Sequence, residues 1–363
     1  MKIFQFIYTL ESGGAERFVV DLSNELSLSH DVNLYVLRND QDLQKNGFYK
    51  PQINYRVNYI NLNISPGFKP SLVLKFWKLL RREKPDVVHC HLNLVNYFFP
   101  LSIVFSHKIR FIYTLHSSAY AEVGSFIEKY IRRFFFKNRF FKPVAISNQT
   151  LQSFIKYYGL KSIPVIYNGR SIPQKSPEYE NVRMEINSYK SNKSTIVFCH
   201  IGRYDEYKNQ KMLISAFNKL IKSGVDLVLL IIGGGFENAH QLKETAVKKI
   251  HFLGIKSNIG DYLYLSDAFC LSSVNEGMPI SLIEALACGC VPVCTPVGGI
   301  KDILKNGELG FISKSVSEED YIEAVREFIS EGWKIKKEHL FNYYFENLSI
   351  EKCAASYIEL YTK

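Results

Sequence analysis

The chain has 363 residues, of which 47% are hydrophobic and 22% charged, which excludes a disordered chain and favours about two globular domains. Residues 1–170 hold 13 Lys and 10 Arg against 5 Asp and 6 Glu, a net charge of +12, whereas the remainder carries −2. This charge is either a solvated surface or a contact for an anionic membrane or a phosphorylated substrate. Because no helix-turn-helix, zinc-finger or RNA-binding signature occurs, we expect no nucleic-acid partner.

Seven cysteines in this length do not indicate a disulfide scaffold, and the first residues show a strand-like pattern rather than that of a signal peptide. Cys288, Cys290 and Cys294 cluster, but their C-x-C-x3-C spacing lacks the usual zinc pairing. A reducing cytoplasm is the simplest compartment. The longest apolar candidate, 92–106, is interrupted by two asparagines and a proline, so we expect no membrane span.

Short apolar runs alternate with helical patterns along the first half. A strand at 2–9 leads through Gly13-Gly14 into a helix at 15–28. The pattern continues with a strand at 32–37, a helix at 72–82, and strands at 86–90, 110–115, 144–146 and 165–167. Strands that alternate with helices indicate a parallel sheet covered on both faces.

The segment 171–194 is polar and contains two prolines, which predicts a linker. The alternation then restarts, and helices dominate after residue 318. The predicted elements here are strands at 195–200, 227–232, 250–253, 268–271 and 291–294, and helices at 210–223 and 279–288. The fold class is therefore α/β, with two doubly wound domains that face a central cleft. Ligands of such sheets bind outside the carboxyl ends of the strands.

Glu276 and Glu284 flank the predicted start of a helix. Pro279 suits its first turn and Gly289 its C-terminal cap. The free N–H groups at the helix start would bind an anion such as a phosphate. Carboxylates on either side could bind hydroxyls on both sides of a bound diphosphate, although the same spacing also occurs in a surface glutamate pair.

The sequence around these residues, NEGMPISLIEALACGCVPVCTPVGGI (275–300), resembles the E-x7-E donor site of GT-B glycosyltransferases, especially the large retaining family 4. Nine further features of that family recur in order, and the resemblance covers nearly the whole chain. They are SGGAER (12–17), DVVHCH (86–91), TLH (114–116), AIS (145–147), VIYNG (165–169), GRYDEYKN (202–209), IIGGG (231–235), FLG (252–254) and NGELGF (306–311). The resemblance implies an acceptor domain at 1–170, a nucleotide-sugar domain at 195–349, and a last helix near 350–363 that returns to the first domain.

Arg203 and Lys208 follow a strand and lie five residues apart. Two cations aimed at one cleft would neutralise a diphosphate leaving group, although ordinary surface charge would look the same. In the resembled family this Arg and Lys bind the donor diphosphate. The family often has Leu at the position of Tyr204 and Gly at that of Asn209; the two cations and their spacing remain.

Other candidates lie at predicted strand ends. Gly13-Gly14 forms a turn without side chains that a ligand can approach closely, but it is not the nicotinamide-binding G-x-G-x-x-G. His89 and His91 lie on one face of a strand without further metal ligands, which favours a structural role. The resemblance assigns His116, Arg203, Lys208 and Glu276 to catalysis, Gly13, Gly14, Gly235, Gly277, Met278, Pro279, Ile280 and Glu284 to the donor, and Glu16 and Arg17 to the acceptor.

We expect no metal and no cofactor, because cations and a helix start already supply positive potential and the nucleotide sugar is a co-substrate. Asp40-Gln41-Asp42 matches the D-x-D pattern that holds a metal in another glycosyltransferase fold, but here it indicates a solvated turn. Segments 129–142 and 75–84 interleave cations with aromatic residues, which is typical of contact with an anionic membrane surface and also of ordinary amphipathic helices.

The expected function is sugar transfer, with retention, from a nucleotide-diphosphate sugar to a glycan in bacterial surface polysaccharide or glycoconjugate synthesis. UDP is favoured by its frequency in the resembled family. A membrane contact would imply a polyprenyl-diphosphate-linked acceptor and an enzyme peripheral to the inner face of the cytoplasmic membrane. Two alternatives stay open: an inactive partner subunit that binds a lipid-linked glycan or another transferase, and an epimerase or hydrolase, for which no convincing acid–base set is present.

Overall fold

The computed structural model describes residues 1–39, 47–67 and 69–363, which form two compact units. Unit 1 comprises Met1–Ser171 and Ser349–Lys363, and unit 2 comprises Ile172–Leu348. Each unit contains a six-stranded parallel sheet with helices between its strands, which confirms the predicted α/β class. The Asp40-Gln41-Asp42 motif lies outside the described residues.

The strands of the two sheets are short and mostly buried. They are β1 (Lys2–Ile7), β2 (Asp31–Val36), β3 (Asn58–Asn61), β4 (Val87–His91), β5 (Arg110–Leu115), β6 (Lys142–Ala145), β7 (Ile196–Ile201), β8 (Leu227–Ile232), β9 (Ile250–Gly254), β10 (Ala268–Leu271), β11 (Val291–Cys294) and β12 (Phe311–Ile312). Their order is β3-β2-β1-β4-β5-β6 in unit 1 and β12-β11-β10-β7-β8-β9 in unit 2.

The helices lie between the strands or follow the last of them. They are α1 (Gly14–Leu26), α2 (Ser71–Glu83), α3 (Val95–Phe105), α4 (Phe126–Lys137), α5 (Asn148–Tyr158), α6 (Tyr179–Tyr189), α7 (Gln210–Lys222), α8 (His240–Thr245), α9 (Ile259–Tyr264), α10 (Ile280–Ala287), α11 (Ile300–Ile303), α12 (Glu318–Glu331), α13 (Lys337–Asn347) and α14 (Ile350–Thr362).

The central strand β1 shows how the two faces of the first sheet divide. Phe4 and Phe6 belong to an aromatic-rich core on one face, and Ile3 and Ile7 belong to an aliphatic core on the other. Gln5 alternates with Phe4 and Phe6, so it shares the face of Ile3 and Ile7 although it is polar and fully buried. A buried amide needs hydrogen-bond partners, and Gln5 finds them in His91 and Tyr361.

The C-terminal helix α14 packs within unit 1. Its inward residues recur every three or four positions, as an amphipathic helix requires, and they join the aliphatic core of Ile3 and Ile7. Those inward residues are Ile350, Cys353, Ala354, Tyr357 and Tyr361. A Cβ at Gly169 would lie 2.5 Å from the Cβ of Cys353, so that position needs glycine for α14 to pack.

Several local features differ from the pattern in the sequence. The edge strand β3 and the two-residue β12 were not predicted, because a polar edge strand and a dipeptide carry almost no periodic signal. Residues 165–167 form only one bridge, between Ala145 and Val165, instead of a strand. The segment 171–194, predicted to be a linker, contains α6, which buries Val182 and Ile186 one turn apart against unit 2.

The strand order locates the ligand-binding edge of each sheet. In unit 1 the order reverses between β1 and β4, and in unit 2 it reverses between β7 and β10. The loops that leave adjacent strands in opposite directions open a crevice at their carboxyl ends. We therefore expect ligands to bind at the loops after β1, β4 and β5 in unit 1 and at those after β7, β8, β10 and β11 in unit 2.

Candidate functional site

An ion pair joins two loops at the carboxyl edge of the second sheet. Lys208 Nζ donates to Glu276 Oε1 at 2.7 Å, and Ser273 Oγ donates to the same oxygen at 2.6 Å. The side chains of Lys208 and Glu276 are 25% and 10% exposed. An ammonium group and a carboxylate thus lie in direct contact, partly shielded from water.

The loop after β7 is held in place mainly through backbone contacts. Ser272 Oγ donates to the carbonyl of Lys208 at 2.8 Å, and the N–H of Val274 donates to the carbonyl of Tyr207 at 2.8 Å. Asn209 adopts a left-handed conformation with φ +52°. Asn and Gly are the residues that tolerate this conformation, which explains why Asn209 can replace the glycine of the resembled family.

A buried amide and imidazole support the same loop from behind. Gln210 Nε2 donates to the carbonyl of Arg203 at 2.9 Å and lies 3.3 Å from His200 Nε2. His200 Nδ1 lies 3.0 Å from the carbonyl of Cys270. Burial lowers the pKa of His200 to about 4, so its ring is neutral. The sequence pattern did not single out Gln210 or His200.

Arg203 differs from Lys208 in its freedom. Its side chain is 58% exposed, and its NH2 lies 3.9 Å from Asp205 Oδ2. The Asp205 carboxylate also accepts from the N–H of Tyr207 at 2.8 Å. Arg203 is therefore a loosely held cation on the same loop as Lys208, whose ammonium group is held in a partly exposed ion pair.

The helix α10 begins beside Glu276. It covers Ile280–Ala287 with Pro279 as N-cap, and Gly289 follows its C-cap at φ +68°, which confirms the predicted helix. Its first N–H groups lack partners within the helix, so its start attracts anions. Glu284 lies in its second turn and is 4% exposed. Met278, 5% exposed, and Ile280 pack at the helix start.

Two glycines shape this edge. Gly235 has φ +88°, and a Cβ there would lie 3.2 Å from Tyr204 Cβ, so the turn after β8 fits closely against the loop after β7. Gly298 has φ +60°, and a Cβ there would lie 2.3 Å from the carbonyl oxygen of Glu276. The neighbouring Gly299 N–H donates to the carbonyl of Gly277 at 2.7 Å. Gly298 positions the Glu276 loop, and its place in the loop that follows β11 was the signal that could have identified it.

In unit 1 the Gly13-Gly14 turn begins α1. Gly13 is the N-cap and Gly14 the first helical residue. A Cβ on Gly13 would lie 2.1 Å from Glu16 Oε2, so glycine here leaves room for the Glu16 carboxylate at the helix start. Arg17 is held on the helix by Asp21, with Nε to Oδ2 at 3.1 Å, and its guanidinium lies over the ring of Tyr49.

His116 follows β5 at the same edge. Its Nε2 lies 3.0 Å from His91 Nδ1. His89 and His91 are fully buried, and both nitrogens of each ring have hydrogen-bond partners, as a structural role requires. Burial lowers the pKa of His116 to about 3 and the pKa values of His89 and His91 well below their usual range, so these rings are neutral at physiological pH.

These lowered pKa values predict acid lability, greater in unit 1 than in unit 2. A histidine whose pKa falls on folding binds a proton more readily when unfolded, so its contribution is complete above about pH 6.5 and is lost as the pH falls toward its folded pKa. In this range each such ring lowers the free energy of unfolding by about 1.4 kcal/mol for each unit by which the pH falls. In unit 1 the pKa is lowered for these three rings and for His30, and in unit 2 it is lowered for His200 and His251.

Each unit contains one of the two tryptophans, Trp77 and Trp333, so single-tryptophan variants separate the two unfolding transitions. Urea titrations of Trp333→Phe and Trp77→Phe between about pH 7 and pH 5 should show unit 1 losing stability more steeply. Equal slopes in the two variants would contradict the neutral state assigned to the three rings of unit 1.

Groups of three His, Cys, Asp or Glu side chains that could hold a metal are absent from residues 1–39, 47–67 and 69–363. The cysteines 288, 290 and 294 are buried free thiols. Burial raises the pKa of the Cys290 and Cys294 thiols, which keeps them protonated and poor as ligands.

Two family models match the chain, and they divide it near the boundary between its units. The model described as Glycosyltransferase Family 4 matches residues 12–172, and the model described as Glycosyl transferases group 1 matches residues 182–347. Together they include every candidate residue discussed above.

Curated relatives and solved structures agree with these models. The chain is 28% identical, over 93% of its length and 92% of the relative's, to N-acetylgalactosamine-N,N'-diacetylbacillosaminyl-diphospho-undecaprenol 4-alpha-N-acetylgalactosaminyltransferase of Campylobacter jejuni. It is 23% identical, over 74% of its length and 76% of the relative's, to UDP-Gal:alpha-D-GlcNAc-diphosphoundecaprenol alpha-1,3-galactosyltransferase of Escherichia coli. The fold matches HepE of Anabaena, solved in complex with UDP, with a TM-score of 0.78 at 19% identity over all of both chains. The chain therefore belongs to glycosyltransferase family 4 and has the GT-B fold.

Proposed function

We propose that this glycosyltransferase transfers a sugar, with retention of configuration, from a UDP-sugar to a polyprenyl-diphosphate-linked glycan. The observation that carries the proposal is the contact between Lys208 and Glu276, at 2.7 Å, beside the start of α10. When a donor binds, its phosphates would replace Glu276 as the partner of Lys208, and the hydroxyls of its sugar would replace Lys208 as the partner of Glu276. These residues also argue against an inactive partner subunit, in which the donor site would have eroded.

The proposed reaction requires no metal and no covalent intermediate. Arg203, Lys208 and the start of α10 stabilise negative charge on the leaving diphosphate as the bond from its oxygen to the anomeric carbon breaks. The acceptor hydroxyl attacks the same face of the sugar, and its proton passes to the leaving diphosphate oxygen. Glu276 holds hydroxyls of the sugar, and Glu284, in the second turn of α10, holds the ribose.

The acceptor and donor classes are inferred from the relatives. The Campylobacter jejuni and Escherichia coli enzymes are named for undecaprenol-diphosphate-linked acceptors, and the second is also named for a UDP-sugar. We place the acceptor at the carboxyl edge of unit 1, where Glu16 and Arg17 follow the Gly13-Gly14 turn. An acceptor anchored in a lipid bilayer also accounts for the net charge of +12 on residues 1–170.

A ligand panel tests the donor site directly. A nucleotide that binds only the folded protein raises its apparent stability by mass action, about 2.7 kcal/mol at a hundredfold excess over Kd. We expect UDP and one UDP-sugar to raise the melting temperature of the full chain more than GDP or ADP do. A folded sample that responds to no nucleotide would overturn the donor site, and a response to GDP or ADP alone would overturn the choice of UDP.

The panel is followed by a transfer assay with the UDP-sugar that gives the largest shift and undecaprenyl-diphosphate-linked N-acetylhexosamine as acceptor. The anomeric configuration of the product, read by NMR, tests retention. If free sugar is released in the absence of acceptor as fast as sugar is transferred in its presence, the result would instead favour the hydrolase alternative.

We further propose that α4 places unit 1 on an anionic membrane surface. An apolar stripe on its outer face is exposed, and Lys129 and Lys137 flank it, which is the pattern of an interfacial helix. The stripe consists of Phe126, Ile127, Tyr130, Ile131 and Phe134, with exposures between 44% and 72%. Among the described residues no helix is both long and apolar enough to cross a bilayer.

Only some residues of the two predicted membrane segments are exposed and could contact a membrane. Within 129–142, Arg132, Phe135 and Phe136 are buried, so the contact would shift toward the first turns of α4. Within 75–84, the exposed face of α2 carries Lys75 and Lys78 and contributes charge rather than apolar area.

Vesicle flotation tests this proposal. The wild-type chain should float with vesicles that contain anionic lipid and float less with neutral ones, because each Lys or Arg near the surface contributes about 1 kcal/mol. The double variant Ile127→Glu/Phe134→Glu should lose most of this binding. Trp333→Glu is the matched control, because Trp333 is 78% exposed but lies in unit 2. Equal flotation with both lipids, or equal loss in the control, would contradict the assignment to α4.

A further inference from the structure

A chain of hydrogen bonds runs through the interior of unit 1 from His116 to the C-terminal helix. His116 Nε2 lies 3.0 Å from His91 Nδ1, and His91 Nε2 lies 2.8 Å from Gln5 Oε1. The other atom of the amide, Gln5 Nε2, donates to the hydroxyl of Tyr361 at 3.4 Å. That hydroxyl lies 2.7 Å from His89 Nδ1.

The chain continues to a second tyrosine of α14. His89 Nε2 lies 2.8 Å from Thr114 Oγ1, which lies 2.8 Å from the hydroxyl of Tyr357. Every member except His116 is fully buried. Hydrogen bonds inside a protein are electrostatically stronger than in water and polarise one another, so neighbours along such a chain constrain one another's proton positions.

The amide of Gln5 sets the direction of the chain. Its oxygen can only accept, so His91 must carry its proton on Nε2 and accept with Nδ1. His116 then donates from Nε2, which leaves its Nδ1 as the lone-pair acceptor. On the other side, Tyr361 accepts from Gln5 and donates to His89 Nδ1. The assignment requires each ring to be neutral, and burial lowers the pKa of all three rings accordingly.

We propose that Gln5 and Tyr361 are positioning residues that hold His116 in the neutral tautomer protonated at Nε2, so that Nδ1 accepts a hydrogen bond from a substrate hydroxyl. The tautomer assignment rests on the geometry of unit 1 alone, and only its use toward a sugar hydroxyl rests on the proposed function. His116 is then an acceptor that orients substrate, not a proton donor. The C-terminal helix, which follows unit 2 in the chain, thereby determines a chemical property of a residue at the edge of unit 1.

Nitrogen NMR of the full chain labelled with ¹⁵N-histidine reads the tautomer directly. The His116 signals are assigned with His116→Gln. We expect a protonated Nε2 and an unprotonated Nδ1 in the wild-type protein. The opposite tautomer, or a charged ring near neutral pH, would overturn the proposal, and the tautomer itself is read in the wild-type protein.

Two substitutions on one helix separate the positioning role from a general effect on packing. Tyr361→Phe removes the link between Gln5 and His89, so the amide can turn over and His116 should show both tautomers. Tyr357→Phe is the matched control, because it removes an equally buried hydroxyl at the far end of the hydrogen-bond chain and should leave the His116 signals unchanged. The same spectrum for both variants would overturn the role of Tyr361.

The transfer assay connects the tautomer to function. Tyr361→Phe should lower kcat about five- to tenfold, as the loss of one well-placed hydrogen bond predicts, whereas Tyr357→Phe should stay close to wild type. A mixed tautomer with unchanged kcat would overturn the role toward substrate. An Nε2-protonated His116 in a protein that transfers no sugar would overturn the proposed function and leave the tautomer assignment standing.

Discussion

Lys208→Met is expected to lower sugar transfer by about 10²–10³-fold, because one fixed cation opposite a developing diphosphate charge stabilises the transition state by several kcal/mol. Methionine keeps most of the apolar stem and removes the ammonium group that donates to Glu276. The fold should survive, since a partly exposed ion pair contributes at most about 1 kcal/mol to stability. Activity is measured as kcat/KM with the donor chosen by the ligand panel.

Lys211→Met is the matched control for this variant. Lys211 lies in α7, three residues further along, and is exposed. Its loss should change kcat/KM less than twofold, in keeping with an exposed charge that contributes little. Glu276→Gln tests the other member of the pair with the same shape and no charge, and it should also lose transfer while melting normally. Near wild-type transfer by a folded Lys208→Met or Glu276→Gln protein would remove the donor site from this edge.

Arg132→Leu is expected to destabilise unit 1 by about 3–5 kcal/mol, the cost of breaking a buried ionic network by removing one partner. Arg132 is fully buried in α4, donates to Glu128 at 2.6 Å and donates to the hydroxyl of Tyr113 at 2.9 Å. Tyr113 donates in turn to Glu122, whose other oxygen accepts the N–H of His116 at 2.7 Å. The substitution would leave the Glu128 carboxylate and the Tyr113 hydroxyl with fewer hydrogen-bond partners.

Urea unfolding followed through Trp77 in the Trp333→Phe background measures this loss in unit 1. Lys137→Leu is the control, because Lys137 lies in the last turn of the same helix and is exposed, so its free energy of unfolding should change by less than about 0.5 kcal/mol. Since the network also holds the backbone at His116, partly folded Arg132→Leu protein should transfer sugar more slowly per folded molecule. A loss below about 1 kcal/mol would show that the network adds little to stability.

The motifs in the sequence were enough to locate the edge of unit 2 that we propose as the donor site. Pro279 and Gly289 fixed the ends of α10 to within a residue, since the residue types favoured at helix ends depend on local backbone geometry. Lys208 and Glu276, 68 residues apart, were assigned separately by the resemblance, and the structure brings them into contact. The direct pairing could not be read from either loop alone, because it depends on which strands are neighbours in the sheet.

The basic and aromatic segment in α4 shows where pattern reading failed. Its letters place Arg132 among surface cations, but the helix turns it inward to Glu128 and Tyr113. An arginine is buried only when its donors are satisfied, and two of these partners, Tyr113 on β5 and Asn93 after β4, lie outside the local pattern. Gln5 is a second such residue. It is a polar residue within a strand predicted to be buried, and its burial is explained only by its hydrogen bond to Tyr361, near the C-terminal end of the sequence.

The sequence by itself determined the alternation of strands and helices, the α/β class, the charge asymmetry and the identity of the loops that we propose bind phosphate. These properties depend on periodicity, local backbone preference and composition, all of which act over a few residues. Tertiary structure alone decided the pairing of Lys208 with Glu276, the burial of Arg132 and the hydrogen-bond chain from His116 to Tyr361. Each of these depends on contacts between residues distant in sequence, which exist only once the parallel sheet has set its strand order.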